Sequence, residues 1–285
     1  MTDSEPLCIQ RTTVFWRSQS GIVNNSRIEI TRVLHSTFRM LVEALLAILV
    51  VSSSAAVFPM RPRLIYFDAR GAAEICRILL KIGKVDFEDV RFPIKFKANG
   101  TLEADEYNEA KARGDFVSNL NRVPIFEIDS LQIGQSKAIE RYIAKKCDLM
   151  GSNDEECAVI DCIAEHVRDI KDRFVKVISE AGKMRSPERN AATRKWFSDG
   201  EYAQWLSRLE ASLPLHPHHS KDYAVGTRLS YADVSIWHLI SEFYEDKDLS
   251  KATAKQFKRV SRIAQVVADH PEVKRWLAER PQTKF

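Results

Sequence analysis

The chain has 285 residues, 45% of them hydrophobic, with 43 Lys and Arg against 39 Asp and Glu and a formal charge of +4. That length suits two domains. The scattered charges, with no basic stripe interleaved with aromatics, argue against nucleic-acid binding. The five cysteines (Cys8, Cys76, Cys147, Cys157 and Cys162) form no CxxC and no zinc spacing with histidine, and a chain of this core content has little need of structural disulfides.

Residues 1–39 show no hydrophobic period and many Ser, Thr, Asn and Arg, a composition that predicts poor order. The segment from Met40 to Pro59 has an apolar centre, Ala44 to Val51, of eight residues. A bilayer span needs ~20. The centre matches a signal-peptide core followed by small residues suited to cleavage around Ala55 to Val57, although Glu43 intrudes and a long segment precedes Met40. Three readings stay open: a cleaved targeting segment, a membrane-tethering helix, or a mis-assigned gene start. The Ala-Val-Phe-Pro junction also faintly resembles plastid signals of some algae. Residues 1–60 are therefore set apart as an N-terminal extension.

Leu64 to Phe67 reads as a strand, and Glu74 to Ile82 as a helix with Ile75, Ile78, Leu79 and Ile82 on one face. Residues 86–92 alternate as a half-buried strand. A polar stretch with a helical piece near 104–112 follows. Pro124 to Ile128 and Leu131 to Ile133, joined through Asp129-Ser130, read as a hairpin. A helix opens at Ser136 and runs to about Lys146, with Ile139, Tyr142 and Ile143 inward. The order β-α-β-α-β-β-α is thioredoxin-like. Beyond about residue 150 only helical patterns remain: 154–181, 187–213, 231–245, 250–269 and 271–279. The predicted fold is an α/β thioredoxin-like domain over 61–149 and an all-helical domain over 150–285. His216-Pro-His-His219 lies among prolines and reads as a loop, since no acidic or cysteine ligand is paired with it.

Three segments carry candidate chemistry. Tyr66 stands where the first strand ends and a helical turn begins, and a helix N-terminus favours a nearby anion. Val123-Pro124 opens the third strand; a cis bond there would free the Val123 backbone for an extended peptide, and a trans bond on an edge strand is equally open. Gln135-Ser136 begins a helix, where Ser136 can cap the terminus or the N–H groups can receive a carboxylate. Ser230-x-x-Asp233 reads as a capping box with a structural role.

Together these pieces resemble the cytosolic glutathione transferases, closest to the sigma class that includes prostaglandin D synthase. The resemblance covers about residues 61–285. It rests on Tyr66-Phe-Asp-Ala-Arg-Gly71 with Ala73-Glu74 and Arg77, on Val123-Pro124, on Gln135-Ser136-Lys-Ala-Ile139 with Arg141-Tyr142, on Gly226-Thr-Arg-Leu-Ser-Tyr-Ala-Asp233, and on the ending Arg280-Pro-Gln-Thr-Lys-Phe285. It implies a cytoplasmic homodimer, with a secretory or plastid alternative through the N-terminal segment and membrane association only if residues 40–58 are retained. The implied activity is conjugation of glutathione, as co-substrate, to hydrophobic electrophiles in detoxification, with peroxidase activity as an addition. A prostaglandin D isomerase and a non-catalytic, crystallin-like binding protein are the alternatives.

By the same resemblance, Tyr66 is the catalytic hydroxyl. Val123, with Pro124, pairs with the cysteinyl unit of glutathione, and Gln135 and Ser136 hold its γ-glutamyl carboxylate. Tyr107, Lys111 and Arg122 fall near its glycyl carboxylate, and Asp169 reaches the γ-glutamyl amine of the neighbouring subunit. Arg173, Phe174 and Val177 are expected in the electrophile pocket. Two departures stand out. Where the family commonly carries an arginine that supports the tyrosine, this chain has Ala72. Where prostaglandin-synthesising relatives bind a divalent ion, it has Glu165, Arg168 and Asp169; Arg168 would repel a metal, so no metal site is expected.

Overall fold

The computed structural model describes residues 58–96, 102–183, 186–213 and 220–283. The candidate targeting segment up to Val57, Cys8 and the histidine cluster at 216–219 lie outside the described residues. Strand β1 (Arg63–Phe67) leads into helix α1 (Glu74–Ile82) and the parallel strand β2 (Glu88–Phe92). A short antiparallel pair, β3 (Lys95–Phe96) and β4 (Leu102–Glu103), precedes helix α2 (Asp105–Ala112). Strands β5 (Ile125–Ile128) and β6 (Leu131–Gly134) form the expected hairpin, and helix α3 runs Ser136–Lys146. The four main strands lie in the order β2-β1-β5-β6, with β5 antiparallel to β1. This is the thioredoxin-like arrangement read from the sequence; the small β3–β4 pair is an addition to it.

Alternation along the central strands builds two layers. Leu64 and Phe126 join Ile78, Leu79, Ile139 and Ile143 in the core on the α1 and α3 side. Their neighbours Ile65 and Ile125 face Ala110 and Phe116 on the other side. Packing reaches ahead of residue 61. Phe58 is buried, with its ring centroid 5.6 Å from that of Phe126 and 6.1 Å from that of Tyr142.

The helical part comprises α4 (Asp154–Ala181), α5 (Pro187–Ser198), α6 (Glu201–Ser212), α7 (Tyr231–His238), α8 (Lys247–Ala254), α9 (Lys258–Asp269) and α10 (Pro271–Glu279). Two expected helices prove to be pairs. The 187–213 pattern breaks at Gly200, whose φ of +80° is a left-handed conformation that glycine adopts freely. The 250–269 pattern begins earlier, at Lys247, and breaks before Lys258, where Phe257 is extended. The expected 231–245 helix changes pitch after His238 and continues as a π-helical turn over Leu239–Phe243. Such turns are frequent at functional sites. All eight residues of α7 are buried, as expected of a helix enclosed on every side. The capping box at its start is present: Asp233 accepts from the Ser230 N–H and hydroxyl, each at 2.7 Å, and from the Ala224 N–H at 2.6 Å.

A buried polar network ties the helical part to α1. Glu74 accepts from Trp276 Nε1 at 3.0 Å and from Arg280 at 2.6 Å, while Arg280 also bonds Glu242 at 2.9 Å. Arg77 holds the other Glu74 oxygen at 3.4 Å and Asp89 at 3.0 Å. A buried carboxylate is stable only when its oxygens are matched in this way.

Candidate active site

Tyr66 is paired with Arg91 across the parallel ladder and is half-buried at the end of β1. Its hydroxyl oxygen accepts the Ala72 N–H at 3.2 Å. The turn that follows wraps the phenol closely. A Cβ at Gly71 would lie 2.7 Å from the Tyr66 hydroxyl, and Gly71 has φ +39°. Glycine is needed there both for the space and for the backbone conformation. The phenol oxygen thus receives one backbone donor at a helical start, leaving its own proton for another acceptor.

The Val123-Pro124 peptide is cis. Pairing of β5 with β1 begins only at Ile125, so Val123 lies beyond the ladder. A residue that sequence reading passed over organises this corner. Asn119 is 5% exposed. Its Nδ2 donates to the carbonyls of Arg122 at 2.8 Å and Pro124 at 3.0 Å, and its Oδ1 accepts the Gln135 N–H at 3.2 Å. One side chain therefore couples the Val123 loop to the start of α3. Gly134 makes room for it, since a Cβ there would meet Asn119 Oδ1 at 2.1 Å.

Gln135 occupies the cap position of α3 with φ +64° and ψ +110°, and no side chain caps this helix. Ser136 is the first helical residue rather than the cap. The sequence expectation of a serine cap is corrected accordingly. The first-turn N–H groups of an uncapped helix need partners and can bind an anion. A non-glycine residue at positive φ is a strained arrangement of the kind that clusters at ligand sites.

The remaining predicted residues divide. Tyr107 donates its hydroxyl to the Asn121 carbonyl at 2.9 Å, and its ring stacks on Phe116 with Phe67 and Phe92 edge-on. It packs the second core layer. Lys111 and Arg122 are exposed. Asp169 is exposed on α4, outside the cavity described below. Glu165 is engaged by Arg141 and by Arg168.

A cavity of about 560 Å³ opens beside Gly71 and Ala72. Ile75, Ser136 and Glu140 line its thioredoxin-like side; Phe174, Val175, Ile178 and Phe197 contribute apolar surface from the helices. Of the three pocket residues expected from sequence, only Phe174 lines it. Arg173 turns away to pair with Glu201 at 2.7 Å, and Ile178 takes the place expected of Val177. Helical geometry decides this, because residues 171, 174, 175 and 178 share one face. Among the described cysteines, Cys76, Cys147, Cys157 and Cys162 are free. Burial pushes the Cys147 thiol up to about 12, and burial followed by Glu140 raises Cys76 well above its ordinary value. Neither supplies a thiolate at neutral pH.

Residues 62–145 match the family described as "Glutathione S-transferase, N-terminal domain", and residues 168–280 match "Glutathione S-transferase, C-terminal domain". Glutathione S-transferase alpha-2 of Rattus norvegicus is 31% identical over 229 residues, which cover 79% of this chain and 91% of that protein. The structure of monomeric Na-GST-3, a glutathione S-transferase of Necator americanus, aligns with a TM-score of 0.61 and 26% identity, over 79% of this chain and all of that one. Rat hPGDS shares the fold, with a TM-score of 0.60 and 22% identity over 79% of this chain and 100% of that one. With a 30%-level relative matched along most of both sequences and both domains recognised in order, this chain belongs to the glutathione S-transferase family.

Proposed function

We propose that this chain ionises the thiol of bound glutathione and transfers the sulfur to hydrophobic electrophiles. The observation that carries this reading is the Tyr66 phenol, braced by the Ala72 N–H with its own proton uncommitted. A cysteine thiol has an ordinary pKa of about 8.5. A hydrogen bond to the anion favours ionisation, and the thiolate is the nucleophile.

In this reading the cysteinyl backbone of glutathione pairs with Val123 beside cis-Pro124. Its γ-glutamyl carboxylate sits at the uncapped start of α3, against Gln135 and Ser136. Exposed Lys111 and Arg122 offer charge for the glycyl carboxylate. Tyr107, whose hydroxyl is already used by Asn121, contributes shape. The cavity beside Ala72 takes the electrophile. Asp169, exposed and outside its own chain's cavity, is suited to reach a second subunit, so a homodimer is part of the proposal. A sigma-like site rests on the Tyr66–Gly71 motif.

An ultraviolet titration of the bound thiolate tests the reading. Wild type should ionise glutathione below its free value, and Tyr66→Phe should return the midpoint toward about 8.5. Equal midpoints in the two proteins would remove Tyr66 from the mechanism. Ala72→Arg should move the midpoint further down, by about one unit, because a guanidinium beside the sulfur favours the anion.

A further inference from the structure

The same cavity holds a pair of basic side chains that thiol activation does not use. Lys171 of α4 and His238 at the end of α7 both line it, and both are buried. Lys171 Nζ lies 3.1 Å from His238 Nδ1. Among the described residues Lys171 forms no ion pair, because the neighbouring carboxylates are engaged elsewhere. Glu140 of α3 is held by Lys137 at 2.7 Å and by the Tyr231 hydroxyl. Glu242 takes Arg70, Lys247 and Arg280. Asp172 is exposed, 3.9 Å from Arg168. Beyond the imidazole, the amine faces the ring of Phe243, with its centroid 5.5 Å away.

Such surroundings disfavour the ammonium form. Burial, then the charge of Lys137, lower Lys171 to about 7, only partly opposed by Glu140 and Asp172. Burial, then the charges of Lys171, Lys137, Arg70 and Arg280, keep His238 neutral well below its ordinary value. An amine desolvated in an apolar pocket keeps its lone pair and becomes a nucleophile toward carbonyl carbon.

We propose that Lys171 and His238 form a carbonyl-capture site, in which a hydrophobic aldehyde entering the cavity condenses with the Lys171 amine to an imine. The amine lone pair attacks the carbonyl carbon while the C=O π pair moves to oxygen. His238 Nδ1 takes a proton from the nitrogen and passes it to the oxygen, giving a carbinolamine. A second proton follows the same route as the nitrogen lone pair forms C=N, and the hydroxyl leaves as water. No oxidant or reductant is consumed. Ile75, Phe174, Val175, Ile178 and Phe197 supply the apolar walls that select an aryl or alkyl aldehyde. The site requires neither Tyr66 nor glutathione.

The test uses the full chain, without glutathione, incubated with hydrocinnamaldehyde and sodium cyanoborohydride and mapped by peptide mass spectrometry. An exposed lysine of ordinary pKa is free amine in roughly one molecule in 10³ at about pH 7. Lys171 should therefore be labelled about tenfold or more faster than exposed lysines there, and its lead should vanish toward about pH 10. Lys171→Arg should lose this fast label, and His238→Gln should slow it about tenfold without changing surface labelling. Wild-type protein in which Lys171 reacts no faster than exposed lysines overturns the site. Unchanged Lys171 labelling in His238→Gln overturns the histidine's part.

Discussion

The two proposed sites are built on different principles. On the thioredoxin-like side the proposed glutathione site sets one side chain, the Tyr66 phenol, among backbone groups: the Ala72 N–H that it accepts, the Val123 peptide and the uncapped turn at Gln135. They come from three short segments placed by a four-stranded sheet. On the helical side the useful groups are the side chains of Lys171, His238 and Phe174, drawn from helices far apart in the chain. Backbone chemistry leaves short, ordered motifs in a sequence. Side-chain chemistry assembled across helices leaves only scattered residues, each of which could equally be core or surface. The contrast teaches where sequence reading is strong, and it can be tested from both sides.

The largest expected effect lies on the thioredoxin-like side. Tyr66→Phe should lower kcat by on the order of 10²-fold while glutathione-affinity retention persists. The check is steady-state kinetics with a chlorinated dinitrobenzene; undiminished turnover would end the proposal. Asn119→Ala comes next. It strands the Gln135 N–H and the carbonyls of Arg122 and Pro124, so stability should fall by about 2–3 kcal/mol. Urea unfolding reads the first loss, and a raised KM for glutathione would show that the corner positions the ligand.

On the helical side the sign reverses. The Lys171 amine, at about 7 when folded, returns to its ordinary ~10.4 when the chain unfolds. Between those values the unfolded chain binds the extra proton, so stability rises with pH across the window, and the full cost is present below about pH 7. Lys171→Met should therefore stabilise the protein by ~1–3 kcal/mol near pH 6 and lose that advantage toward pH 10. Thermal unfolding at several pH values measures it, and a gain independent of pH would contradict the buried-charge account. The smallest effect belongs to the cap of α7. Ser230→Ala should cost ~1 kcal/mol by denaturant melts, although Asp233 still accepts from the Ala224 and Ser230 N–H groups.

Much of the architecture was legible from periodicity and punctuation. The bounds of α3 and α4 could be read because one apolar face runs unbroken between clear ends, and Asn153 caps the second of them, accepting the Glu156 N–H at 2.8 Å. The break at Gly200 was harder to see, because apolar residues recur on both sides of it, Trp196 and Phe197 before and Tyr202, Trp205, Leu206 and Leu209 after. The nine-residue step from Trp196 to Trp205 spans about two and a half turns, so no single face runs through. Asn119 escaped notice because nothing local distinguishes it from Asn121. Its role depends on the segments before β5, after β6 and at the start of α3 converging on one amide, with Gly134 leaving the space that it fills.

Sequence alone determined the order of the main thioredoxin-like strands and helices, the family and the placement of Tyr66, Val123-Pro124 and Gln135-Ser136, because each rests on spacing along one short stretch of chain. Tertiary structure decided that Gln135 rather than Ser136 takes the cap position, that Phe174 and Ile178 line the cavity while Arg173 turns outward, and that Lys171 meets His238 where the neighbouring carboxylates are paired with other groups. Those outcomes depend on which helix faces meet. Helical rotation and burial fix them across dozens of intervening residues, a distance over which no local pattern carries information.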